Sequence, residues 1–240
     1  MLCGDLLRNP QNKMQAKEDM KTIFDIKDSE KGNSVLILGA GGTLEDYGDK
    51  VKKFIEDNNL KTIGINNSVQ FHVPDYHLWT NTGRLKEFGA NIDSSSIVLF
   101  GSNIKKDVIQ GVWPKKYFSV PYTDKQRVIL KVTSKHIYGT FRTAGCLSII
   151  IANILGFDNI YIAGMDGYTY HNWASLKDGE TSQHFYGKGL TDKNTKEICE
   201  EKDMRVYDAL RSISSYGIKF SIITPTIFRE FYDISKLSDY

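Results

Sequence analysis

The stretch Ser34-Val-Leu-Ile-Leu-Gly-Ala-Gly-Gly-Thr-Leu-Glu45 constrains the fold more than any other part of the chain. A short apolar run, Val35 to Leu38, breaks into Gly39, Gly41 and Gly42, and Thr43 with the acidic Glu45 then opens a helix. A strand that turns directly into a helix through glycines is a joint of parallel α/β sheets. Its bare backbone N–H groups, at the positive end of the helix, suit a phosphate. Gly39, Gly41, Gly42 and Thr43 are therefore expected to handle a nucleotide. The spacing lacks the third glycine of the dinucleotide fingerprint, and there is no G-K-[ST] of a P-loop.

The rest of the chain keeps the alternation. Apolar runs at 62–65, 77–79, 97–100 and 160–163 read as strands, and helical patterns lie near 46–58 and 83–88. Residues 144–155 are almost wholly apolar and end at Gly156, which predicts a buried central helix with a glycine cap. Residues 108–132 show no clean period and read as an aromatic-rich connection. A polar stretch, 165–195, reads as a lid loop, followed by a helix over about 195–216 and a strand over 219–223. This is an α/β pattern with a mostly parallel sheet flanked by helices. With 240 residues and 40% hydrophobic content the chain supports one domain, expected over 33–240. Residues 1–32, polar and charged, read as a lead-in or linker.

A net charge of +2, from 31 basic and 29 acidic residues, asks for no nucleic-acid partner. Cys3, Cys146 and Cys199 make neither a C-x-x-C nor an even set, which argues against disulfides and zinc and fits a reducing cytoplasm. No apolar run reaches bilayer length and no signal-peptide core opens the chain. Peripheral association with the inner face of a membrane, and homo-oligomerisation, stay open.

In open parallel sheets the ligand crevice lies beyond the carboxyl ends of the strands. The polar residues there are Gly39–Thr43, Asn66-Asn67-Ser68, Thr80-Asn81-Thr82 with Arg84, Gly101-Ser102-Asn103, Asp166 with Tyr168, and Thr224-Pro225-Thr226. Neutral amides read ribose and base edges, whereas a metal-phosphate site calls for several carboxylates; only Asp166 is placed for a metal. The competing reading is that the Asn and Ser residues cap helices. Arg142 beside Thr143, Ala144 and Gly145, at the start of the central helix, makes a second candidate anion site. Among the histidines, His184 in the polar loop is the candidate base and His171 the alternative. His72, His77 and His136 read as surface or packing residues.

These pieces together resemble the bacterial sialyltransferases of glycosyltransferase family 42. More broadly they resemble the Rossmann-like group that includes flagellin-modifying motility accessory factors and a pterin pyrophosphokinase. The resemblance rests on Gly39-Ala-Gly-Gly-Thr-Leu44, on Asn66 or Asn67 and Asn81 after the second and third strands, and on Arg142-Thr-Ala-Gly145 before the buried helix. It continues through Gly156-Phe-Asp-Asn-Ile-Tyr-Ile-Ala-Gly-Met-Asp166 and His184-Phe-Tyr186, spanning about 34–226. The chain departs from the pattern at Gly42-Thr43 in place of Pro-Ser and at Ala144 in place of Ser. It also has Gly187 or Lys188 where the family's loop has a second His.

The resemblance implies a single Rossmann-like domain that displaces CMP from an activated sugar and passes the sugar to a glycan acceptor in surface polysaccharide synthesis. His184 would take the acceptor's proton. Tyr168, with Tyr161 or Tyr186, and Arg142 would stabilise the departing phosphate together with the glycine turn. Asn66, Asn67 and Asn81 would hold ribose, base or a donor carboxylate, and neither metal nor cofactor is expected. One rival is a Mg²⁺-dependent pyrophosphokinase using Asp166 and Asp192. Another is a non-catalytic sugar-nucleotide-binding domain.

Overall fold

The computed structural model describes residues 21–113, 115–126, 128–170, 183–188 and 196–240. In chain order the strands are β1 (Ser34–Leu38), β2 (Lys61–Ile65), β3 (Tyr76–Trp79), β4 (Ile97–Gly101), β5 (Phe118–Val120) and β6 (Tyr122–Asp124). They continue with β7 (Lys131–Val132), β8 (Ile137–Gly139), β9 (Asn159–Ala163), β10 (Gln183–His184), β11 (Gly187–Lys188) and β12 (Ser221–Ile222). The helices are α1 (Thr43–Asp46), α2 (Gly48–Asp57), α3 (Thr82–Phe88), α4 (Lys106–Val112), α5 (Ala144–Leu155) and α6 (Lys196–Ser215).

Seven strands form one parallel sheet in the order β12-β9-β1-β2-β3-β4-β5. This is the α/β, Rossmann-like architecture expected from the alternation. Strand β1 shows why its sequence is apolar without a break: Val35 and Ile37 join the core under α5, while Leu36 and Leu38 join a second core under α2. A parallel sheet covered on both faces has no solvent side, so period-2 alternation disappears. A third cluster, around Trp79, Phe100 and Trp113, fills the space beneath α3 and α4.

Helix α5 lies where its composition demands. Ten of its twelve residues are buried between the sheet, α6 and the segment 21–32. The buried Ser148 hydroxyl donates to the Ala144 carbonyl at 2.8 Å, so no polar group is stranded there. Gly156 ends the helix at φ +90°, as a glycine cap should. The described part of the expected lead-in also packs here. Ile23 is fully buried, and the Asp28 and Glu30 amides donate to the Ile154 and Leu155 carbonyls at 3.0 and 2.9 Å. These bonds satisfy carbonyls that the end of a helix leaves open. The packed domain therefore begins upstream of residue 33.

Within 108–132 the structure contains the end of α4 and the short strands β5, β6 and β7. Strands of two or three residues are too short to display a period. β5 closes one edge of the main sheet, and β6, β8 and β7 form a small sheet that leads into α5.

Candidate functional site

The chain runs from β1 outward to β5 and then returns to the other side of β1 with β9 and β12. The connections leaving β1 and β9 therefore diverge at a topological switch point, where open α/β sheets hold ligands. A crevice of about 780 Å³, including its open mouth, lies there. Its walls are the glycine turn after β1, the start of α5, the turn Gly164–Tyr168 after β9, Asn66 and His184, with Ile65, Val206 and Phe228 as apolar lining.

The glycine turn is a structural joint: the amides of Gly39, Gly41 and Thr43, expected to meet a phosphate, are taken up by acceptors within the protein. The Gly39 and Gly41 amides donate to the Ala163 and Gly164 carbonyls at 2.8 and 2.9 Å, extending the β1–β9 pairing beyond the strands. A Cβ on Gly39 would fall 2.2 Å from the Gly164 carbonyl oxygen, and one on Gly41 would fall 2.4 Å from the Asp166 carboxylate. The Thr43 amide and hydroxyl donate to that carboxylate at 2.9 and 2.5 Å. An internal anion thus occupies the start of α1. Asp166 is 3% exposed and lines the crevice, but its two oxygens face Thr43. Gly42 and Thr43 do not line the crevice.

Helix-start amides line the crevice instead at the start of α5. The side chain of Thr143 caps the helix, its hydroxyl accepting from the Cys146 amide at 3.3 Å. This leaves the amides of Ala144 and Gly145, which have no intrahelical acceptor, at the crevice wall. Arg142 precedes them in the left-handed region at φ +57°, a conformation that costs energy for a residue with a Cβ. Its guanidinium lies 5.8 Å from the centre of the Tyr168 ring, and its buried Nε finds no hydrogen-bond partner among the described residues. Burial pushes the Tyr168 phenol above its usual value, against the pull of Arg142, so the hydroxyl keeps its proton.

Asn66 repeats this combination across the crevice. It is also left-handed, at φ +51°, and its buried Oδ1 has no partner among the described residues. Asn67 is not part of the wall: it is fully buried, and its Oδ1 accepts from Asn91 Nδ2 at 3.0 Å. Asn81 is the cap of α3, its Oδ1 accepting from the Arg84 amide at 3.0 Å, and it is exposed away from the crevice lining. For Asn81 and Thr143 the capping reading holds.

His184 reaches the crevice on the β10–β11 hairpin, which is fastened to the glycine turn. His184 forms a bridge with Gly41, and the Phe185 amide donates to the Ala40 carbonyl at 3.1 Å. His184 Nδ1 lies 3.2 Å from the same carbonyl. A carbonyl only accepts, so Nδ1 carries the hydrogen and Nε2 keeps its lone pair. Burial, reinforced by the charge of Arg84, holds the imidazole below its ordinary pKa, and the ring is neutral at pH 7. Tyr186 stacks on it at 5.0 Å and meets Phe88 edge-on at 5.5 Å, so it supports the imidazole from outside the crevice lining. His171 and Asp192 lie outside the described residues.

The sequence reading missed one structural anchor, Asp203, and named Thr224 only as a rim residue. The Asp203 carboxylate accepts from the Tyr168 and Thr169 amides at 2.6 and 2.8 Å and from the Thr169 hydroxyl at 2.7 Å, tying the crevice turn to α6. The Thr224 hydroxyl accepts from the Gly164 amide at 2.9 Å and, since the Thr43 hydroxyl hydrogen is given to Asp166, donates its own to Thr43 Oγ1 at 3.2 Å. Among the described residues no cluster of three His, Cys, Asp or Glu is placed to hold a metal ion, and no helix is long and apolar enough to cross a membrane. No protein-family model matches the chain, and no curated protein matches it.

Proposed function

We propose that this protein is a glycosyltransferase, sialyltransferase-like in its chemistry, that transfers a sugar from a CMP-activated donor to a hydroxyl of a glycan acceptor. One observation carries the reading. A crevice at the switch point is lined by Asn66, left-handed with a buried Oδ1 that has no partner among the described residues, and by a histidine whose Nε2 keeps its lone pair; Arg142, left-handed with an Nε likewise unpartnered among the described residues, adjoins its lining residue Thr143. Strain and unmet hydrogen bonds are features that folding alone does not favour, and they concentrate at sites of function.

In the proposed reaction His184 Nε2 takes the proton of the acceptor hydroxyl as its oxygen attacks the anomeric carbon. The bond from that carbon to the phosphate oxygen breaks, and CMP departs with the electron pair. The developing charge meets the Ala144 and Gly145 amides, Arg142 and the Tyr168 hydroxyl, donors fixed in place before reaction. Asn66 holds a hydroxyl or amide of the donor. Such a displacement runs without a metal.

The test is a thermal-shift panel of CMP, CMP-, UDP- and GDP-sugars and ATP with Mg²⁺, followed by a transfer assay with and without EDTA. A ligand at about a hundred times its Kd stabilises the fold by roughly 2.7 kcal/mol. CMP compounds should raise the melting temperature, and transfer should survive EDTA. Stabilisation by ATP with Mg²⁺ alone, with activity lost to EDTA, would replace this reading with a pyrophosphokinase. CMP-sugar binding without turnover would leave a binding domain.

A further inference from the structure

His77 lies on β3, fully buried, with its ring centre 4.8 Å from that of Trp79. Packing alone does not account for an imidazole there. Its Nδ1 is buried without a partner among the described residues, a cost that a leucine or phenylalanine would not carry. Its other nitrogen has a specific task. Nε2 lies 2.5 Å from the backbone carbonyl of Asn66, and since a carbonyl only accepts, Nε2 carries the hydrogen and donates it. The Asn66 amide in turn donates to the Leu78 carbonyl at 3.2 Å. Both backbone groups of Asn66 are thus tied to β3, and Asn66 is one of the two left-handed residues at the crevice.

We propose that His77 is a positioning residue: its Nε2–H grips the Asn66 carbonyl, holding Asn66 in the left-handed conformation that sets its side-chain amide at the crevice wall to bind the nucleotide-sugar donor. The ligand assignment rests on the function proposed above; the grip on Asn66 does not. Relaxing Asn66 to an ordinary backbone conformation would redirect its side chain, because the Cβ direction follows φ and ψ. The contact therefore couples a fully buried residue to ligand recognition without touching the ligand.

The experiment compares wild type, His77→Gln, His77→Leu, Asn66→Ala and the double variant His77→Leu/Asn66→Ala. Two readouts are used: CMP affinity by calorimetry, and the Asn66 Cα and Cβ chemical shifts of the ligand-free protein, which report left-handed backbone. Glutamine can place an amide N–H near the position of Nε2, and leucine cannot. Asn66→Ala and His77→Leu should each weaken CMP binding by about tenfold, and the double variant should be no weaker than Asn66→Ala, as residues acting through one contact are non-additive. His77→Gln should stay within about threefold of wild type, since it keeps the hydrogen bond. The left-handed shifts should persist in His77→Gln and vanish in His77→Leu. Additive losses in the double variant, or left-handed shifts retained in His77→Leu, would overturn the proposal. If His77→Leu fails to fold, His77→Asn, too short to reach the carbonyl, replaces it under the same expectations. If wild type does not bind CMP, the proposed donor fails, and the Asn66 shifts alone decide the role of His77.

Discussion

A carboxylate as buried as that of Asp166 must be met by donors, and here Thr43 supplies two from a position 123 residues away in sequence. The contact joins the two loops that open the crevice, so its loss should be felt as lost stability. Thr43→Val removes the hydroxyl and keeps the shape and the amide bond; the cost should be about 1–3 kcal/mol in urea denaturation, the range for a hydrogen bond to a charged group. In the reaction proposed above, His184 makes the opposite case, a residue whose value is chemical. His184→Ala should lower kcat by about 10²–10⁴ and leave CMP affinity nearly unchanged, because the base acts on the acceptor. A fall of less than about threefold would remove it as the base. Because the folded imidazole is held below 6.5, the acid limb of kcat/KM should lie below pH 6.5 in wild type. Arg84 contributes to that depression, so Arg84→Gln should move the limb upward; an unmoved limb would detach it from His184.

Helix α5 was the most legible element of the chain, since a twelve-residue apolar run with a glycine stop admits few other structures. Six of the seven strands of the main sheet were legible for the same reason, and their ends pointed to the crevice; β5 and the short strands after it were too brief to show a period. Which residue of each polar pair faces inward was not legible. Asn66 is left-handed and tied to β3 at the crevice wall, whereas the adjacent Asn67 is fully buried against Asn91, and Asn81 becomes a cap because α3 starts one residue later. The fate of the glycine turn was hidden as well, because a distant carboxylate decides it. Element boundaries nonetheless yield a test. A Cβ on Gly145 would lie 2.6 Å from Met165 Cε, the movable end of a flexible side chain at the crevice wall. Gly145→Ala should therefore fold with nearly wild-type stability while the displaced Met165 narrows the crevice. The melting temperature should change little and CMP affinity should fall. A variant with unaltered affinity would place the ligand away from the start of α5.

At the scale of the whole molecule, the histidines set how the fold responds to acid. Burial pushes His77 down to about 4 from an ordinary 6.5, and it lowers His72 and His184 as well. An unfolded chain protonates these rings near pH 6.5, while the folded chain resists until lower pH, so the unfolded state binds more protons between the two values. Stability therefore rises with pH across that window and falls as the solution is acidified from 6.5 towards 4. His77 alone accounts for a loss on the order of 3 kcal/mol over that range. Asp203 opposes it: burial raises its carboxyl, so the folded state takes up that proton more readily than the unfolded chain and gains stability on acidification. A single Asp203 set against three histidines leaves the net slope positive. Urea denaturation at pH 7 and pH 4.5 should show a marked drop for wild type and a smaller one for His77→Gln, whose side chain does not titrate. Equal drops in the two proteins would mean that His77 already carries a proton in the native state, or takes one up without cost. Its Nδ1 would then not be the closed, apolar environment that holds the fold against acid.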